Sequence, residues 1–156
     1  MSNEFSRPID DRYFDDYVVG STYEFPERVQ VTEAEIVAFG RSFDPQSFHV
    51  DPEAAADGPF HGLIASGWHT AGLMMRLYAK HYLSHVASLG GPGVDELRWL
   101  VPVRPGDQLR LRTTVLEARL SRSKPDRGLV RTRAELLNQD DAVVLRVEAL
   151  NFLAVR

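Results

Sequence analysis

The apolar positions of this chain change their period along its length. Residues 21–31, "STYEFPERVQV", read as a strand that Pro26 interrupts. From Thr32 the spacing is helical. Thr32 can accept a hydrogen bond from the first-turn amides while Glu35 reaches back, a capping box. The helix is predicted to run to about Ser42, because Pro45 disfavours the α conformation at Asp44. "DPEAAA" is predicted to form a second, short helix with Asp51 as N-cap and Pro52 at the first helical position. Residues 66–87 carry the longest helical pattern, with Ser66 as N-cap. Its first half is apolar nearly all round, and Ala71 and Gly72 permit close contact, which predicts a buried helix.

After Gly93 the period falls to two. Leu97, Trp99, Val101 and Val103 alternate with other residues, and "RPGD" at 104–107 is a turn. Leu109, Leu111 and Val115 start the next strand. The apolar phase then moves to Leu116, Ala118 and Leu120, which predicts a bulge. "KPDRG" and "NQDD" are two further turns, each followed by an alternating run. An antiparallel sheet with one apolar face must cover that face, and the helix at 67–83 is the obvious cover. The predicted class is α+β: about five antiparallel strands wrapped around a long central helix. Residues 1–18 read as an extended arm.

Composition narrows the function. A length of 156 residues suits one domain, and 44% hydrophobic with 26% charged residues is ordinary for a folded one. The net charge of -4, with no long basic run, argues against nucleic acid or an anionic membrane as the main partner. The absence of cysteine excludes disulfides, thiolate catalysis and cysteine-held metals. The N-terminal residues are acidic and lack the order of a signal peptide, and no apolar run reaches the ~18 residues of a spanning helix. A cytoplasmic location is the expectation.

Candidate chemistry is concentrated in "FGRSFDPQSFHVD", residues 39–51, where Asp44 and His49 stand among phenylalanines. Taken singly, Asp44 before Pro45 also reads as an Asx turn ending a helix, and His49 as a structural histidine. Together with "GPFHGLIASGW" and "VPVRPGD", this segment resembles the MaoC-like dehydratase family, which includes the R-specific enoyl-CoA hydratases. The resemblance runs from about Tyr23 to Val155 and implies a single hotdog domain over residues 1–156. Many members carry an Asn-Pro pair where this chain has Gln46-Ser47.

The resemblance implies hydration or dehydration of a 2-enoyl or 3-hydroxyacyl thioester, on coenzyme A or an acyl carrier, with no cofactor. Asp44 and His49 would handle the water, and the amide of Gly67 would receive the negative charge of the thioester oxygen. Histidine suits such proton exchange because its ordinary pKa is about 6.5. Gly67 opens the long helix, where free amides and the helix dipole favour an anion. Phe43, Phe48, Ser66 and Trp68 are the candidate substrate-binding residues. An edge strand and an open pocket side predict a homodimer.

Three other readings compete. His81 and His85, four apart, form a metal pair only if a third ligand joins them, and none is in view. A hotdog thioesterase needs a carboxylate on or beside the central helix, and none occurs between Gly58 and Val94. A non-catalytic acyl-thioester binding module would have no use for the Asp44/His49 pair. "RLSRSKPDRG" either reaches a coenzyme A phosphate or is a solvated hairpin tip.

Overall fold

A computed structural model describes residues 2–156. Pro26 divides the first extended run into β1, Thr22–Glu24, and β2, Val29–Gln30. Three helices follow: α1, Glu33–Phe43; α2, Ser47–Val50; and α3, Pro52–Ala56. The central helix α4, Gly67–Leu77, continues into a π-turn at Tyr78–Tyr82. The strands β3, Gly93–Trp99, β4, Gln108–Leu120, β5, Arg127–Leu137, and β6, Val143–Ala154, complete the chain. The sheet is antiparallel, in the order β1-β4-β5-β6-β3, and β2 also pairs with β4. It has six strands rather than about five, the extra one being the two-residue β2. The bulge falls where the apolar phase moves, between Val115 and Glu117.

Alternation along β4 to β6 gives the sheet one apolar face. Leu111, Val115, Ala134, Leu136 and Val147 are buried on it with Leu73, Met74 and Leu77 of α4 in one core. A fully buried leucine of this kind contributes about 1.5–3 kcal/mol of hydrophobic stabilisation. The opposite face carries ion pairs across strands, among them Arg112–Glu135–Arg146. This explains the charged residues that alternate with the core positions.

Several expectations need correction. Thr32 does cap α1, accepting the Glu35 N–H at 3.2 Å, but no return bond from the Glu35 side chain is made. The central helix ends at Tyr82, within one residue of the expected 83, although the helical pattern runs to 87. Arg12 donates to the carbonyls of His81 and Tyr82 at 3.0 and 2.9 Å, and the Tyr17 hydroxyl also reaches Tyr82 O. These groups satisfy the last carbonyls, and Leu83 leaves in an extended conformation. The arm is therefore packed, not merely extended. It forms 3-10 turns at Ile9–Asp11 and Phe14–Asp16, and Arg12 is buried beneath the Phe5 ring.

The helix is also not buried all round. Trp68, Gly72 and Met75 are exposed, and nothing lies within 4 Å of the space a side chain at Gly72 would fill. Finally, β3 ends at Trp99, so Val101 and Val103 lie beyond it. They cross the head of α4, where Ala65 N–H bonds Val103 O at 2.8 Å. Among the described residues, no helix is long and apolar enough to cross a membrane.

Candidate active site

Asp44 and His49 meet because α1 stops and α2 begins between them. Asp44 ends α1, its N–H still bonded to Gly40 O at 2.8 Å. Pro45 prevents a further turn, and the one-turn helix α2 then carries His49 back beside Asp44. The fit of α1 on α2 needs a glycine at position 40: a Cβ there would stand 2.9 Å from Val50 Cγ1 and 3.0 Å from His49 Cβ. Sequence reading missed both α2 and this role of Gly40.

His49 is buried, and its Nδ1 lies 2.7 Å from the carbonyl of Ile64. A carbonyl only accepts, so Nδ1 carries a proton and Nε2 is the nitrogen free to exchange one. Nε2 lies 3.2 Å from Asp44 Oδ2. Phe48 packs edge-to-face on the ring and fixes its plane.

The Asp44 carboxyl group has further donors. Gln46 Nε2 donates to Oδ1 at 2.7 Å, and Ser66 Oγ donates to Oδ2 at 2.7 Å. These bonds, Gln46 first, hold its pKa below the ordinary value against partial burial, which pushes the other way; Ser66 and then His49 add to the lowering. Asp44 is thus a carboxylate at neutral pH.

Ser66 serves two elements. Its hydroxyl oxygen accepts the Trp68 N–H at 3.3 Å, the N-cap read from sequence, while its proton goes to Asp44. The N–H of Gly67 has no hydrogen-bond partner among the described residues. The open side of Gly67 is not empty, however. A Cβ there would come within 2.5 Å of the Trp99 indole, whose Nε1 donates to Gly67 O at 2.7 Å. The tryptophan by itself therefore requires glycine at this position.

These groups share a cleft of about 500 Å³. Asp44, Gln46, His49 and Gly67 stand in its wall, with Phe48, Phe60 and Val103. Trp68 and Trp99 meet edge-to-face, ring centres 5.1 Å apart, at its exposed side. Of the candidate substrate-binding residues, Phe48 and Trp68 line the cleft, and Ser66 sits behind its wall. Phe43 does not line it: the side chain is 75% exposed and rests on Phe39. Trp99 and residues 100–103 were missed because they reach the site from the far edge of the sheet.

The remaining histidines lie elsewhere. His69 stacks on Phe39 with its Nδ1 buried and unpaired, and burial lowers its pKa. His81 bonds Glu27, and His85, beyond the helix, bonds Asp10. The supposed His81/His85 pair therefore does not share a helix face, and no cluster of three metal-ligating side chains occurs among the described residues.

Comparison with known proteins adds a family. Residues 16–136 match the family model described as MaoC like domain. Among solved structures, the MaoC-like dehydratase from Rhodospirillum rubrum is 41% identical with a TM-score of 0.84, covering 93% of this chain and 98% of that one. The R-hydratase PhaJ1 from Pseudomonas aeruginosa is 26% identical with a TM-score of 0.72, covering 91% and 84%. The 3-hydroxyacyl-thioester dehydratase Z of Mycobacterium tuberculosis is 34% identical over 90 residues, which span 56% of this chain and 60% of that protein. The uncharacterized protein YdeM of Bacillus subtilis is 28% identical over 86% of this chain and 93% of its own length.

Proposed function

The chain belongs to the MaoC-like dehydratase family, and from that premise we propose that it reversibly adds water to a 2-enoyl thioester, with Asp44 and His49 sharing the water. The observation that carries this reading is the Asp44–His49 contact in a cleft wall that also holds a free helix N–H. In the hydration direction, the water oxygen bonds C3 as one of its protons passes to His49 Nε2. The π electrons of the double bond move toward the thioester carbonyl, and the Gly67 N–H receives the charge on its oxygen. A donor of this type is worth roughly 3 kcal/mol in the transition state. His49 Nε2 then gives that proton to C2, which restores the neutral imidazole and completes the 3-hydroxyacyl product. Dehydration is the same path reversed.

The acyl group we propose is uncharged. The cleft wall contains no lysine or arginine among the described residues, and its one fixed charge is the Asp44 carboxylate. An acyl chain ending in a second carboxylate would meet repulsion with no compensating partner. The carrier is coenzyme A or an acyl-carrier protein.

We also propose a homodimer in the cytoplasm. β3 is an edge strand, and the exposed Val94, Trp99, Leu100 and Val101 continue the exposed face of α4 at Trp68 and Met75. An apolar edge of this kind is normally covered.

The deciding experiment is hydration of crotonyl-CoA and a chain-length series of its homologues, followed by loss of enoyl-thioester absorbance with chiral analysis of the product. An (R)-3-hydroxyacyl product is expected. Release of free thiol without hydration would assign hydrolysis instead, and binding without either reaction would assign a binding module.

A further inference from the structure

Gln46 is bonded to both members of the Asp44–His49 pair. Its N–H donates to the carbonyl of Asp44 at 2.8 Å, and its own carbonyl accepts the His49 N–H at 2.9 Å. Its side chain adds the 2.7 Å bond to Asp44 Oδ1. The other two groups on this carboxylate, Ser66 Oγ and His49 Nε2, both fall on Oδ2. Gln46 flanks the start of α2, yet its side chain makes no capping bond there. Its position is exposed and its carboxamide forms part of the cleft wall.

The torsion that turns a carboxylate about its Cβ–Cγ bond is broad and roughly two-fold, so nothing intrinsic to aspartate fixes it. Contacts confined to Oδ2 leave that rotation only half constrained. A donor on Oδ1 supplies the second anchor. We infer that Gln46 is a positioning residue for the reaction: its amide locks the plane of the Asp44 carboxylate so that Oδ2 stays turned to His49. The same bond favours the charged form of Asp44, in keeping with the lowered pKa of that group. Solvent competes for this amide in the open cleft, and an acyl chain that expels the water strengthens the bond.

This inference rests on the hydratase reading, and its test is separable from that reading. Gln46→Leu removes the donor at an exposed, uncapped position, so the protein is expected to stay folded, with the thermal melt at neutral pH lowered by no more than the loss of one hydrogen bond. Titration of the Asp44 carboxyl carbon by ¹³C NMR is expected to move to higher pH in this variant, and further in Gln46→Glu, where two carboxylates would share the site. Turnover of a 2-enoyl-CoA by Gln46→Leu is expected to fall about tenfold, the value of one hydrogen bond to a charged group, through kcat more than KM. An Asp44 titration unmoved by Gln46→Leu, or a moved titration with unchanged kcat, would overturn the proposal. If the wild-type protein hydrated no enoyl thioester, the hydratase reading would fail, and the NMR titration would still decide whether Gln46 governs Asp44.

Discussion

The indole of Trp99 bonds the carbonyl of Gly67 and fills the space that any side chain at position 67 would need. Gly67→Ala is therefore expected to destabilise the fold by about 1–3 kcal/mol, the usual cost of overpacking. Trp99→Ala in the same chain should recover part of that loss, and a double-mutant cycle of denaturant melts measures the coupling. Proline at 67 brings the same Cβ, so its effect on the amide must be read in the Trp99→Ala background. There, Gly67→Pro is expected to lower turnover by roughly 10²-fold relative to Trp99→Ala alone. Undiminished activity would remove the Gly67 N–H from the mechanism.

Asp44→Asn and His49→Ala are each expected to cut turnover by roughly 10²–10⁴-fold, the range for losing acid–base catalysis. Circular dichroism melts should show both variants folded. Wild-type rates in both, measured on a competent enoyl-CoA, would refute the assignment.

Ser66→Ala tests a residue that serves helix and carboxylate together. Loss of the cap is expected to cost about 0.5–2 kcal/mol in a denaturant titration. Activity should fall as well, because Asp44 loses a donor on Oδ2. A destabilised variant with full activity would confine Ser66 to capping.

His69 gives the fold a pH dependence of known sign. Burial lowers its folded-state pKa, so the unfolded chain binds the proton first. The stability associated with neutral His69 is present above the ordinary value of about 6.5 and is lost as pH falls through it, levelling off below the folded value. His69→Leu should flatten this part of the melting-temperature curve. An unchanged slope would assign the acid sensitivity to other groups.

Static light scattering at micromolar concentration is expected to give the mass of two chains. Val94→Arg, on the exposed face of β3, should shift the protein toward the monomer. A wild-type monomer would end the dimer proposal.

Local features were legible in the sequence. The stop at Pro45, the caps at Ser66 and Asp51, and the bulge after Val115 each follow from a few neighbouring residues, and the structure contains them. The Asp44–His49 approach was legible for the same reason, since one short turn brings the pair together. What failed depended on distant partners. The helix pattern runs past Tyr82, but Arg12 and Tyr17, from the other end of the chain, take its last carbonyls. The apolar first half of α4 looked buried, but periodicity cannot tell an internal face from one left exposed, as at Trp68 and Met75. Trp99 lies far along the chain from Gly67, and no local signal at "SGW" announces it.

The order of elements also sets a hazard during synthesis. The apolar central helix leaves the ribosome before the four strands β3 to β6 that wrap it. β6 is last, yet it stands between β5 and β3, and β3 pairs with no other strand. At about 5–20 residues per second, Leu73, Met74 and Leu77 wait for seconds with their cover unmade. Translation speed therefore governs how long the nascent chain presents a chaperone-binding surface, and slow codons ahead of β6 would lengthen that interval.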